Sequence, residues 1–416
     1  MLTHPLTIAA FLIVSLSLLF LDEVRSAEAV NCPERTNCSY CLLGSKTKYY
    51  VWTNPCRWCP QTTKCYNPDD SSNPCKEEHD ITVVASCPHE KRLPYDTKRA
   101  LKALHLAGSA YSEGDCLAQC IQEIDPNYHL LKEVRFPCKN VRTDLQSFVK
   151  KTEYECFAHV AVSDADKHVV VSYRGTNDPP QLLSEGGECI FKKGVSAPTG
   201  GTAYEYFYRG VHLSYGDIVE EVKPLVQKGY NLWVVGHSLG GAFATVFTSF
   251  LGKEDWVDKE GTMLITFGSP RVGDWDFARN LEFHFPNIYR IVHQRDLVVH
   301  IPPQTTNWQR VTDIGAYIYN VLKWDLEATF INWNNPYHVG KLILYDNDMS
   351  DMDDYTQCDH ENETACLKYM LLDINDHLNY FQKIVSDVCK CNQPKEGSHE
   401  KSSDKIKSVN KAREDL

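Results

Sequence analysis

Residues 231–241 read Asn231-Leu232-Trp233-Val234-Val235-Gly236-His237-Ser238-Leu239-Gly240-Gly241. The run to Val235 has the texture of a buried strand, and small and apolar residues suited to a helix follow Gly241. Gly236-x-Ser238-x-Gly240 has a physical meaning at such a strand-to-helix turn. The turn crowds the backbone, so its flanks must lack bulky side chains, and the serine hydroxyl is pushed out above the carboxyl edge of the sheet. The N-terminus of the following helix adds partial positive charge where an oxyanion would develop. A plain structural turn is the alternative, since bare spacing of this kind also arises by chance. A serine alcohol is a poor nucleophile by itself, so a histidine must take its proton and a carboxylate must orient that histidine. In this arrangement both follow the serine along the chain.

Working outward, strand-like runs alternate with helical ones. Asp96 caps a helical stretch that begins at Thr97 and continues through ALKALHLAGSAYSE. Glu155 to Val162 and His168 to Arg174 read as strands, Tyr204 to Gln227 as an amphipathic helix, and Met263 to Phe267 and Ile288 to Val292 as short buried strands separated by a helix from Trp275 to Phe285. Such alternation predicts an α/β fold with a mostly parallel sheet covered on both faces.

Composition narrows the function classes. The 416 residues carry 43 Lys+Arg against 55 Asp+Glu, a formal net charge of −12, which argues against a nucleic-acid binder. With 43% hydrophobic and 24% charged residues the chain can bury a substantial core. Its 17 cysteines point to an oxidising compartment. Ile8 to Leu21 form an apolar run followed by Ser26, Ala27 and Ala29, the pattern of a signal peptide over residues 1–29 with cleavage after Ser26, Ala27 or Ala29. About 14 apolar residues fall short of the ~20 that span a bilayer, so no transmembrane anchor is expected. The sequons at Asn37 and Asn362 suit a secreted, extracellular glycoprotein.

Eight cysteines fall within residues 30–90: Cys32, Cys38, Cys41, Cys56, Cys59, Cys65, Cys75 and Cys87. The Cys38-x2-Cys41 and Cys56-x2-Cys59 steps come close to a zinc ribbon, but compartment and the four further cysteines favour disulfides. The order of these cysteines, with Cys56-Arg57-Trp58-Cys59-x5-Cys65, resembles the plexin repeat, or PSI domain. The resemblance implies a small disulfide knot without chemistry of its own, whose protein partner is unknown. Residues 91–391 then form the α/β body, and 392–416 a charged, disordered tail.

Five motifs of the body resemble the class 3, fungal-type lipases: Val169 to Thr176 (VVVSYRGT), Gly236 to Gly241 (GHSLGG), Thr266 to Phe277 (TFGSPRVGDWDF), Arg295 to Pro303 (RDLVVHIPP) and Asp376 to Phe381 (DHLNYF). The resemblance implies an α/β-hydrolase with Ser238 as nucleophile, Asp296 as orienting acid and His377 as general base, the backbone N–H groups of Leu239 and Thr176 serving the oxyanion. It further implies a lipid ester as substrate, met at a lipid–water interface; no cofactor or metal is expected. His338 competes for the base, whereas Asp274 and Asp276 are more simply a helix cap and a first-turn acid. His293 and His300 sit too close to Asp296 in sequence to be oriented by it.

Leu297, Val298, Val299, Ile301 and Leu378 would give the site an apolar rim suited to acyl chains. Between Thr176 and Tyr204 the family places a lid; here Leu182, Leu183, Ile190 and Phe191 lack helical period, and Cys189 could pin the segment. The acidic stretch Tyr345 to Tyr355 lacks the spacing of an EF-hand and reads as a solvated loop. Cys116 or Cys120 would pair with Cys389 or Cys391 by the same resemblance, and nine cysteines outside the knot leave one over. A non-lipid carboxylesterase and a catalytically silent binding protein stay open as alternatives.

Overall fold

The computed structural model describes residues 32–42, 56–67, 70–75, 79–81, 84–89, 92–137, 155–176, 194–302, 336–358, 366 and 372–389. The expected leader, Asn362, the segment holding Leu182, Leu183, Cys189, Ile190 and Phe191, and the charged tail lie outside these residues. No helix among the described residues is long and apolar enough to cross a membrane.

The cysteine-rich segment contains α1 (Cys38–Leu42) and a hairpin of β1 (Arg57–Cys59) and β2 (Lys64–Tyr66). Exposed Asn37 caps α1, its Oδ1 accepting the Tyr40 N–H at 2.8 Å. The core here is mostly sulfur, with Leu42, Trp58 and Val84 the other buried members, so covalent links must supply what apolar burial cannot. They run Cys32–Cys56, Cys38–Cys87, Cys41–Cys65 and Cys59–Cys75. Among the described residues the groups whose ligand atoms converge closely enough for a metal consist of these sulfurs with Asp80, and sulfurs spent in disulfides are not thiolate ligands. The turn Val84–Ser86 packs on the helix Trp275–His284. Arg92 Nε donates to the Pro286 carbonyl at 2.9 Å, and the Leu93 N–H donates to Asn287 Oδ1 at 2.8 Å.

The body then runs α2 (Thr97–Ser109), α3 (Gly114–Ile124), β3 (Tyr128–Pro137), β4 (Glu155–Ser163), β5 (His168–Tyr173), β6 (Gly194–Ser196), β7 (Thr202–Tyr204), α4 (Glu205–Gln227), β8 (Asn231–His237), α5 (Leu239–Leu251), β9 (Met263–Phe267), β10 (Gly273–Asp274), α6 (Trp275–His284), β11 (Asn287–His293), β12 (Pro336–Tyr337), β13 (Lys341–Tyr345), β14 (Thr356–Cys358), α7 (Ile374–Leu378), β15 (Asn379–Tyr380) and β16 (Lys383–Ile384). Asp96 caps α2, its carboxylate accepting the Arg99 N–H at 2.7 Å.

The main sheet has the order β14-β13-β11-β9-β8-β5-β4-β3. Its five central strands, β5, β8, β9, β11 and β13, pair in parallel, and antiparallel strands close both edges. Alternate residues of β8 serve the two faces. Leu232 and Val234 join a core with Phe207 of α4 and Phe243 and Phe247 of α5, while Val235 joins one with Leu104 and Leu106 of α2. This is the expected α/β-hydrolase architecture. Strand β3 has no clean reading in sequence because a bulge between Leu130 and Lys132 breaks its alternation.

Cys120 in α3 is bonded to Cys389, a closure across 269 positions that fastens the first helices to the end of the described chain. Cys358–Cys366 is a second link, and Cys116 and Cys156 are also disulfide-bonded. Replacing Cys120 and Cys389 together by serine should lower unfolding free energy by about 2–5 kcal/mol in denaturant melts. A loss below about 0.5 kcal/mol would show that the closure constrains little.

Candidate active site

Ser238 stands between the last residue of β8 and the first of α5 with φ 59° and ψ −132°, a conformation costly for any residue with a Cβ. Its neighbours explain how the chain holds it. A Cβ on Gly236 would lie 2.3 Å from the Gly240 backbone, and one on Gly240 would lie 2.1 Å from the Tyr173 carbonyl oxygen. The Ser238 N–H donates to the Phe267 carbonyl at 2.9 Å, tying the turn to β9. The serine is buried, and among the described residues its Oγ has no hydrogen-bond partner.

Beyond β11 the backbone turns at Gln294, whose N–H reaches the Tyr345 carbonyl at 2.7 Å, and delivers Asp296. There the chain meets the segment that carries His377. The Asp373 N–H donates to the Arg295 carbonyl at 3.0 Å, and the Asp373 carboxylate caps α7, accepting the Asn375 N–H at 2.8 Å. His377 on α7 thereby directs Nδ1 at both Asp296 oxygens, each 3.0 Å away. The Val298 N–H gives Oδ1 a second hydrogen bond at 2.8 Å, and the Tyr380 hydroxyl gives Oδ2 one at 2.6 Å. Burial by itself would raise the Asp296 carboxyl. The His377 ring beside it, with hydrogen bonds from His377, Tyr380 and Val298, outweighs burial and holds the group below the usual carboxylate range. With Nδ1 donating to a carboxylate, Nε2 of His377 is left as the acceptor nitrogen, buried and, among the described residues, without a hydrogen-bond partner.

Leu239 opens α5, where first-turn N–H groups lack intrahelical acceptors. Gly175 and Thr176 follow β5 against the serine: a Cβ on Gly175 would fall 3.0 Å from that of Ser238. His338 is not drawn to Asp296; its Nε2 donates to the Val299 carbonyl at 2.7 Å. Asp274 caps α6 through the Phe277 N–H at 2.8 Å, and Asp276 lies in that helix's first turn. Buried His293 places Nδ1 3.1 Å and 2.6 Å from the carbonyls of Asp376 and Asn379, and Nε2 3.0 Å from that of Asn347, so it braces the segment bearing His377. Buried His300 adjoins Arg271, whose guanidinium donates to the His300 carbonyl.

The expected apolar rim differs from what the fold makes. Leu297, Val298 and Ile301 belong to the main core, and Val299 to a small cluster with Val292 and Leu342, since the turn after Asp296 points them inward. Leu378 is half-buried. In the acidic loop, Asp353 accepts from the Thr97 hydroxyl at 3.0 Å and Asp354 from the Asn347 side-chain amide at 2.9 Å, so these two carboxylates are engaged by side-chain donors.

Two participants escaped the reading of the sequence. Tyr380 stands three residues after His377, a spacing that puts both on one side of a short turn. Gly268 lies in the Thr266-Phe267-Gly268 run with φ +56°, and a Cβ there would fall 2.5 Å from Asp296 Oδ2 and 2.8 Å from His377 Nδ1.

Residues 170–306 match the family profile of class 3 lipases. A Caenorhabditis elegans lipase is 28% identical over 268 residues, covering 61% of this chain and 73% of that one. The Rhizomucor miehei lipase is 31% identical over 189 residues, covering 42% and 50%. A solved structure of the Rhizomucor miehei triacylglyceride lipase superposes with a TM-score of 0.52 at 20% identity, over 70% of this chain and 96% of that one. The fold is that of an α/β-hydrolase, and the matched stretch carries the sequence of a carboxylic ester hydrolase of the lipase kind. The chain spans about half the length of the Rhizomucor sequence.

Two measurements check the acid–base pair. Gly268→Ala should cost about 1–3 kcal/mol in urea melts, through the strained φ and the clash with Asp296. The loss should shrink in an Asp296→Ala background. A depressed carboxylate contributes stability that is complete above its ordinary value of 3.8 and is lost as pH falls through the lower folded value. Stability of the wild type should therefore fall more steeply below about pH 4 than that of Asp296→Asn; parallel curves would contradict the depressed state.

Proposed function

We propose that this protein is a secreted serine hydrolase that cleaves carboxylic esters of lipids through an acyl-serine. Ser238 attacks the ester carbonyl while His377 Nε2 takes its proton, Asp296 holds the imidazole in the donating tautomer and stabilises the imidazolium, and the N–H groups of Leu239 and Thr176 receive the oxyanion. His377 then returns the proton to the departing alcohol, and water, activated by the same ring, releases the fatty acid. The observation that carries the reading is a buried serine hydroxyl on a strained turn, without a partner among the described residues, together with a histidine whose far nitrogen is fixed on a buried carboxylate. The match to lipase sequences over residues 170–306 supports an acyl ester as substrate.

In this reading residues 1–29 direct export, and residues 30–90 form a plexin-repeat-like knot ahead of the catalytic body at 91–391. Asn37 and Asn362 receive glycans. Asn37 is exposed at the start of α1, which leaves room for one.

A chain-length series of esters from acetate to oleate, assayed with purified protein, tests the proposal. Medium-chain or long-chain esters should turn over fastest, and Ser238→Ala and Asp296→Asn should each lose about 10⁴-fold or more in kcat. Ser238→Ala activity equal to that of the wild type would refute the assignment, and a preference for acetate would move the substrate class away from lipids.

A further inference from the structure

We infer that Tyr111 and His237 form a positioning pair for the His377 base, an inference that rests on the triad reading above. His237 immediately precedes Ser238 and is buried. Its Nε2 lies 2.9 Å from the backbone carbonyl of His377, and its Nδ1 lies 2.8 Å from the Tyr111 hydroxyl. A carbonyl only accepts, so Nε2 carries the ring proton. Burial, reinforced by the adjacent His377, pushes the His237 ring down to about 3 and so keeps it neutral. Nδ1 is then a bare acceptor, and Tyr111 is its donor.

The Tyr111 oxygen in turn lies against Gly175, the residue before Thr176, where a Cβ would fall 2.3 Å from it. Donors and acceptors follow in one direction from this contact: the Tyr111 O–H to His237 Nδ1, and His237 Nε2–H to the His377 carbonyl. The chain joins the loop assigned to the oxyanion, the neighbour of the nucleophile and the backbone of the base. The rings of His237 and His377 stack with centroids 4.6 Å apart and planes 28° from parallel, so the pair sets both the height and the tilt of the base. Without the Tyr111 hydroxyl the His237 proton is free to move to Nδ1, which turns an Nε2 lone pair on the His377 carbonyl and displaces α7. Tyr111 and His237 touch no reacting atom in this scheme; they act through His377.

The test compares full-length wild type, Tyr111→Phe, His237→Gln, His237→Leu and the Tyr111→Phe/His237→Gln double variant. The readouts are kcat and KM on p-nitrophenyl octanoate, Ser238 labelling by a fluorophosphonate, and thermal melting. Glutamine keeps an amide N–H within reach of the His377 carbonyl but does not need Tyr111 to set a tautomer. Tyr111→Phe should lower kcat about tenfold with KM within about twofold, and His237→Leu about 100-fold. His237→Gln should recover most of the activity lost in His237→Leu, and in the Gln background Tyr111→Phe should cost less than about twofold. An equal cost in both backgrounds, an effect on KM alone, or a Tyr111→Phe variant that fails to fold would overturn the positioning role. A wild type that neither labels nor turns over ester would overturn the triad reading along with it. Labelled wild type with additive variants would overturn the pair alone.

Discussion

The structure depends on a backbone contact that only glycine permits. Where β8 becomes α5, the Gly236 and Gly240 backbones pass so closely that a methyl group on either would overlap main-chain atoms, and Gly240 also rests on the Tyr173 carbonyl at the end of β5. That packing brings the loop after β5 against the serine and leaves Ser238 with φ 59°. The strain persists because two central strands and a buried helix determine the turn from every side, as is usual for strained residues at reactive sites. Gly268 applies the same device a second time, on the neighbouring strand, where a missing side chain admits the carboxylate and the imidazole.

Electrostatics at the second contact follows from burial. Asp296 is excluded from solvent, and an ionised carboxylate in such a place requires full compensation. It has it: the His377 ring, the Tyr380 hydroxyl and the Val298 N–H between them occupy both oxygens. These bonds also decide which imidazole nitrogen is free. With Nδ1 committed, Nε2 is the basic atom, and its tautomer requires no further group.

The elements that carry chemistry on β8, β9 and β11 were legible because each is a short apolar run closed by a turn residue, and the caps at Asp96 and Asp274 announce the helices that follow. Parallel pairing followed from the alternation of strands with helices. Strand β3 was hidden by its bulge, and α3 by the weak capping of Glu113, which makes no side-chain cap bond. Motif order proposes Ser238, Asp296 and His377, and of these the structure sets Asp296 and His377 in hydrogen-bond contact. Gly268, Tyr380 and Tyr111 could not be named, since their roles arise from contacts between segments far apart in the chain. The apolar run after Asp296 misled for the reverse reason: hydrophobic residues beside a reactive group look like a substrate wall, but the turn directs them into the core.

The placement of His377 extends that argument. It sits on a helix of five residues, far too short to persist by its own hydrogen bonds. Its position must therefore come from tertiary contacts: the Asp373–Arg295 backbone bond beneath it, His293 braced against the carbonyls of Asp376 and Asn379, and Tyr380 on the carboxylate. Shortly downstream, Cys389 is bonded to Cys120 of α3, while Val385 and Val388 pack against Gly108 of α2. His377 is thus held from both sides by the first helices and by the end of β11, and a segment with little local preference of its own acquires one orientation.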